Sequence, residues 1–308
     1  MGSASKGWRR AARVAGWVLA AGLASCGGGT SQIEPFVAQR VMLLGDESLL
    51  LTVDGKRYGI NALDINNALD CSQLPVWGQS LVAFFTLVLD RCNPGASTDV
   101  RGVTRGAPGA KAADLEAQIT AQLAASAPTS KDLFLVMVGM NDVIERYEAG
   151  AACDDAELRA RGVQVASQIN RLIDAGGRVI VSTVHDLGLT PYGRAKDAAN
   201  SGQSALITCL TATFNARVRV DILQDGRFVG LVLADDLTQQ MAKFPASYGL
   251  GNVTDAACNV ALPDCTTATL VSGASTGTHL WADDRHLGPV AQGRLAILAE
   301  ARARNNPF

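Results

Sequence analysis

The chain has 308 residues, 48% of them hydrophobic, with 27 basic side chains against 29 acidic ones and a formal net charge of −2. That length suits one globular domain with a large core. A near-neutral balance, with no basic run outside the extreme N-terminus, argues against nucleic acid as a partner.

Residues 1–25 read as a secretory signal. Lys6, Arg9, Arg10 and Arg13 precede a short apolar stretch, Val14 to Leu23. A membrane-spanning helix needs about 20 apolar residues, so this stretch is too short to span. Leu23-Ala24-Ser25-Cys26 is similar to the bacterial lipobox, whose cysteine becomes the acylated first residue of the mature chain. Cys26 is therefore the predicted lipidation site, and residues 26–39, opening on three glycines, a flexible tether. The expectation is an exported lipoprotein of the cell envelope, its lipid anchor in the membrane. Gly27, rather than Asp, beside the cysteine favours the outer membrane in a Gram-negative host.

Setting Cys26 aside leaves Cys71, Cys92, Cys153, Cys209, Cys258 and Cys265. An even number in an exported chain predicts disulfides. Short loops favour Cys71–Cys92 and Cys258–Cys265. A zinc site is disfavoured, because no Cys-x-x-Cys occurs and the histidines are not clustered with cysteines. Neither a metal nor another cofactor is expected.

The domain proper is assigned to residues 40–308. Val41 to Leu44 reads as a buried strand. Asp54-Gly55 lies between two extended runs, a hairpin signal. A helix is predicted from about Pro75 through the apolar run to Leu89. Another covers residues 111–126, with Leu115, Ile119 and Leu123 at a spacing of four. Residues 132–138 form a continuous apolar strand ending at Gly139. An amphipathic helix follows and is closed by Gly176-Gly177. Residues 178–184 are the next strand, 205–223 a helix and 227–235 a strand. The last helix carries Pro289 in its first turn. Apolar strands alternating with helices predict a parallel sheet covered on both faces, an α/β fold. Ligands in such sheets bind beyond the carboxyl ends of the strands.

Three short blocks fall at or near such places: Gly45-Asp46-Glu47-Ser48, Gly139-Met140-Asn141-Asp142, and Asp283-Asp284-Arg285-His286. Between the first two lies a glycine-rich turn, residues 101–110. Taken singly, a serine after a strand is a helix cap, Gly-Met-Asn-Asp is a turn, and an Asp three residues before a His is a surface ion pair. Together and in this order they fit an acyl-transfer site. A serine needs a base to take its proton. We read Ser48 as the nucleophile, His286 as the base and Asp283 as the residue that orients the imidazole. Asn141 and a glycine N–H would face the oxyanion. His185 also follows a buried strand and competes for the base role, but His286 is favoured for its acid partner Asp283, and His279 has no such support.

These blocks resemble those of the SGNH or GDSL hydrolase family. The resemblance extends to residues 185–191 and 244–258 and covers nearly the whole mature chain. It implies a three-layer α/β/α sandwich of flavodoxin-like type, no metal, and ester hydrolysis through an acyl-serine. It picks Gly109 as the glycine donor, with Gly106 as the alternative. The chain departs from the family spelling Gly-Asp-Ser-Leu, because Glu47 stands where the serine belongs and Ser48 comes one later. An ester hydrolase is the leading expectation, acting on an acyl lipid, an acetylated glycan or a small ester. The alternatives are a non-catalytic ligand-binding lipoprotein with Glu47 at the nucleophile place, and a structural lipoprotein of the envelope.

Overall fold

The computed structural model describes residues 35–305; the signal segment, Cys26 and most of the tether lie outside them. Residues 35–39, assigned to the tether from sequence, pack onto the domain. Phe36 and Ala38 are buried, and the Gln39 N–H donates to the Lys131 carbonyl at 2.8 Å.

After β1 (Arg40–Gly45), the short strands β2 (Ala62–Leu63) and β3 (Leu69–Asp70) pair with each other apart from the main sheet; β1 and five later strands, β4 (Val88–Leu89), β5 (Val100–Thr104), β6 (Asp132–Met137), β7 (Arg178–Ser182) and β8 (Val229–Val232), form a central sheet of six parallel strands. Their order is β4-β5-β1-β6-β7-β8, with β1 and β6 paired along their full length from Arg40↔Asp132 to Gly45↔Met137. Alternate side chains of a strand face opposite sides of the sheet. Val41 and Leu43 of β1, with Leu133 and Leu135 of β6, therefore join one core; Met42 and Leu44, with Phe134 and Val136, join the other. Each fully buried aliphatic side chain contributes roughly 1.5–3 kcal/mol, which is why these strands are apolar throughout. The first core is covered by the helices Trp77–Phe84, Ala234–Lys243 and Pro289–Asn305. The second is covered by Ala112–Ala125, Met140–Glu148, Ala156–Asp174 and Gln203–Asp221. The result is a three-layer α/β/α sandwich, as the sequence implied.

Several elements differ from expectation. The helix predicted to Leu89 ends at Phe84. Thr86 takes φ 57°, outside the helical region, and Val88–Leu89 instead makes the edge strand β4. The Asp54-Gly55 hairpin is reduced to a tight loop closed by Thr52 and Lys56, with one bridge between Leu51 and Arg57. Strand β5 and the short helices Pro191–Ala199 and Ala234–Lys243 were not foreseen. Disulfides join Cys71–Cys92, Cys153–Cys209 and Cys258–Cys265. The first and third are the short-loop pairs.

Candidate active site

The three blocks and the glycine-rich loop meet at the carboxyl end of the sheet. Strand β1 stops because Gly45 takes φ +125°, and a Cβ there would lie 1.9 Å from the Met137 carbonyl oxygen. Only glycine fits so close to the neighbouring strand. Gln118 holds this glycine from the helix above. Its side-chain oxygen accepts from the Gly45 N–H at 2.7 Å, and its amide donates to the Gly45 carbonyl at 2.9 Å. The chain then turns into a short 3-10 segment, Glu47–Leu49, capped by Asp46, whose carboxylate accepts from the Ser48 N–H at 2.9 Å.

This turn decides which side chain enters the site. The Glu47 carboxylate points inward. Its Oε2 accepts from the Gly109 N–H at 2.9 Å and from Asn141 Nδ2 at 3.0 Å. Its Oε1 lies 3.6 Å from His286 Nε2, an ion-pair distance just beyond a hydrogen bond. Ser48 is buried and its N–H is tied to Asp46, while His286 Nε2 makes no hydrogen bond, to the serine or to anything else among the described residues. The structure thus brings Glu47, rather than Ser48, up to the base. The reason is the period of the turn: consecutive residues of a 3-10 segment point about a third of a turn apart, so a one-residue offset re-aims the side chain.

The remaining residues stand as the sequence grouped them. His286 Nδ1 donates to Asp283 at 2.8 and 2.9 Å, and Asp283 Oδ1 also accepts the backbone N–H groups of Arg285 and His286. Asn141 sits in the first turn of the helix Met140–Glu148. Its neighbour Asp142 accepts the Ala112 N–H at 3.0 Å and so ties that turn to the start of the helix Ala112–Ala125. Asn141 Nδ2 donates a second bond to the Ala110 carbonyl at 3.1 Å. Of the two candidate glycines, Gly109 presents its N–H to the site, while the Gly106 N–H donates to the Leu43 carbonyl at 3.2 Å within the sheet edge. His185 is buried against Trp281 and its Nε2 donates to the Arg285 carbonyl at 2.7 Å. Burial pushes its pKa down to about 4, so it stays neutral and supports the loop that carries His286. His279 is buried beside Thr278, its Nδ1 2.8 Å from the hydroxyl.

Electrostatically the site is a closed triplet. Burial opposes charge on His286, but the Asp283 and Glu47 carboxylates outweigh it and raise its pKa to about 9. Burial likewise opposes charge on Glu47, yet the pairing with His286 and the N–H groups of its own backbone and of Gly109 hold the carboxyl below its usual range. Asp283 is depressed in the same way, with His286 outweighing burial. Asp46 is different: burial and the Glu47 charge raise it to about 7. At neutral pH an imidazolium therefore lies between two carboxylates.

Two residues escaped sequence reasoning. Gln118 is one, and its helix position carries no signal of that role. Tyr58 is the other, with its ring centroid 5.7 Å from that of His286. The buried Arg57 beside it donates to the carbonyls of Cys71, Gln73 and Leu74 and pins this segment. Tyr58, Ala256, Ala261, Leu262 and Arg285 line an open cleft of about 410 Å³ whose floor is Glu47 and His286.

The GDSL-like lipase/acylhydrolase family matches residues 53–298. The chain belongs to this family. The matched stretch of this GDSL-family protein begins just after the turn that holds Glu47 and Ser48. No curated protein matches the chain. Among solved structures it is similar to a lipolytic G-D-S-L family protein from Veillonella parvula, at 11% identity over 85% of this chain and 96% of that one, with a TM-score of 0.43. It is also similar to an acetylxylan esterase from Geobacillus stearothermophilus, at 14% identity over 87% and 94%, TM-score 0.45. A third is an α/β hydrolase from the metagenome of Lake Arreo, Spain, at 15% identity over 89% and 98%, TM-score 0.44.

Proposed function

We propose that this GDSL-family protein is a ligand-binding member for carboxylic esters or the acids related to them, tethered in the cell envelope through Cys26, and that it does not form an acyl-serine at Ser48. One observation supports this above all: the Glu47 carboxylate fills the place between Gly109, Asn141 and His286. Acyl transfer needs a nucleophile within about 2.6–3.2 Å of a base able to accept its proton, and empty oxyanion donors. Here the imidazole holds a proton at neutral pH, no hydrogen bond joins the serine to His286 Nε2, and the donors already bind a carboxylate. Attack by Glu47 itself would give an anhydride, higher in energy than an ester.

A second reading is ester hydrolysis through Ser48. The intact Asp283–His286 pair favours it. It requires Glu47 to leave and the turn to shift by one residue. A fluorophosphonate probe separates the two, because it labels serines deprotonated by a neighbouring base. The wild type should show no adduct on the peptide carrying Ser48 and no turnover of nitrophenyl esters from acetate to long chains. Restoring the family spelling with Glu47→Ser and Ser48→Leu should allow labelling that is lost in His286→Ala. An adduct on Ser48 in the wild type overturns the proposal.

A further inference from the structure

We infer that the ligand class of this site is the free carboxylate, and that Glu47 is its tethered stand-in, held by the same three partners that would bind the acid group of a small external ligand. This rests on the reading of Glu47 as an occupant of the site rather than a bystander to Ser48.

The Glu47 carboxylate uses both oxygens: Oε2 takes the N–H bonds of Gly109 and Asn141, and Oε1 faces His286 Nε2. Any carboxylate has the same two oxygens at the same spacing and carries the same charge. An ester does not. Its carbonyl oxygen would satisfy the two N–H groups, but its alkoxy oxygen is a poor acceptor and brings no charge opposite the imidazolium. A buried cation left with one anion instead of two is disfavoured, so the site discriminates in favour of the acid.

The surroundings give such an acid room for its body. The cleft above Glu47 and His286 has one side of Tyr58, Ala256, Ala261 and Leu262, small or apolar except for the phenol, and another of Asp283, Asp284 and Arg285, where the guanidinium is paired with Asp284. A short alkyl or acyl chain would lie there with its carboxylate on the floor. Glu47 competes for that floor from inside the chain, and an intramolecular group acts at an effective concentration in the millimolar range or above. An external acid therefore binds the wild type weakly and binds strongly once the side chain is removed.

The test uses the full chain with Glu47→Ala, probed with sodium acetate, sodium butyrate and methyl acetate at pH 7. The readouts are thermal unfolding and the His286 titration followed by imidazole NMR. In Glu47→Ala the His286 pKa should fall. Acetate should restore it by about one unit at saturation, since one unit marks a modest change in charge pairing, and should raise the unfolding temperature saturably. Butyrate should bind at least as tightly, whereas methyl acetate and sodium chloride should do neither. Adding Asn141→Ala should weaken acetate binding at least about fivefold, the effect of losing a hydrogen bond of about 1 kcal/mol. Glu47→Gln keeps the place filled without charge and should not respond to acetate. If Glu47→Ala folds only when acetate is present, that dependence reports the same binding. A His286 titration and an unfolding temperature indifferent to acetate, in Glu47→Ala and equally in Glu47→Gly, overturn the inference. That failure differs from the failure of the binding reading, whose mark is a covalent adduct on Ser48 of the wild type.

Discussion

Glu47→Gln is the sharpest perturbation of this site, because it removes a charge and leaves the shape. The glutamine carbonyl oxygen can still accept from Gly109 and Asn141, and its amide then faces His286 Nε2. In the wild type the imidazolium has Asp283 at 2.8 Å and Glu47 at 3.6 Å. A unit charge at that longer distance, with an effective dielectric of about 20, contributes about 4–5 kcal/mol, or about three pKa units as an upper bound. Asp283 remains, and an amide donor favours the neutral ring. We therefore expect the His286 pKa to fall from about 9 by roughly one to two units, given partial screening through the open cleft. Long-range proton–nitrogen NMR of the imidazole across pH measures this directly. A linked effect on stability follows, with a definite sign. The folded pKa of His286 lies above its ordinary 6.5, so its contribution is complete below that value and is lost as pH rises through about 9. The rise corresponds to roughly 3 kcal/mol for His286 with both partners. Glu47 lies below its ordinary 4.5, so its share is present above that value and is lost as pH falls through its depressed folded pKa. The denaturant midpoints of wild type and Glu47→Gln should differ most between about pH 5 and 6.5 and converge beyond pH 9. A His286 midpoint within about half a unit of wild type would refute the account, since it would mean that Glu47 does not pair with the base.

Two further outcomes are expected. Gly45→Ala places a Cβ 1.9 Å from the Met137 carbonyl oxygen in a backbone conformation that alanine avoids; it should destabilise the domain by at least about 3 kcal/mol in urea unfolding, as clash and strain add. Cys26 should carry acyl chains and form the mature N-terminus; mass spectrometry showing an unmodified Cys26 or cleavage elsewhere would contradict the lipoprotein reading.

The four apolar strands were legible because strands buried on both faces must be apolar along their whole length. Residues 41–44, 132–137, 178–182 and 229–232 say this without ambiguity. The block with Asn141 was legible for the same reason, since in a parallel sheet a polar group just past a buried strand has few other places to stand; Asp283 and His286 were legible from their spacing of three just before the last helix. Strands β4 and β5 were hidden. They lie towards one edge of the sheet, and Val100 and Arg101 are exposed, so no apolar run marks them. The pair Cys153–Cys209, 56 residues apart, depends on two regions meeting in space, which no short-loop argument reaches. The choice between Gly109 and Gly106 was fixed by the loop's register against Leu43.

The decisive ambiguity, Glu47 against Ser48, could be posed from the sequence but not resolved there. Both residues follow the same strand, and both are short steps from the same glycine. Tertiary structure resolved it through contacts remote in sequence. Gln118 clamps Gly45, Asp46 caps the turn, and Gly109 and Asn141 supply two N–H groups to whichever side chain the turn sends inward. A carboxylate satisfies both N–H groups and the imidazolium at once, whereas a serine hydroxyl offers one oxygen and no charge. The sequence by itself pointed to four of the strands and to the Asp283–His286 pair, because burial and spacing along the chain constrain them. Which side chain lies against Gly109, Asn141 and His286 was decided by the direction of a single turn, held by groups that come together only when the chain has folded.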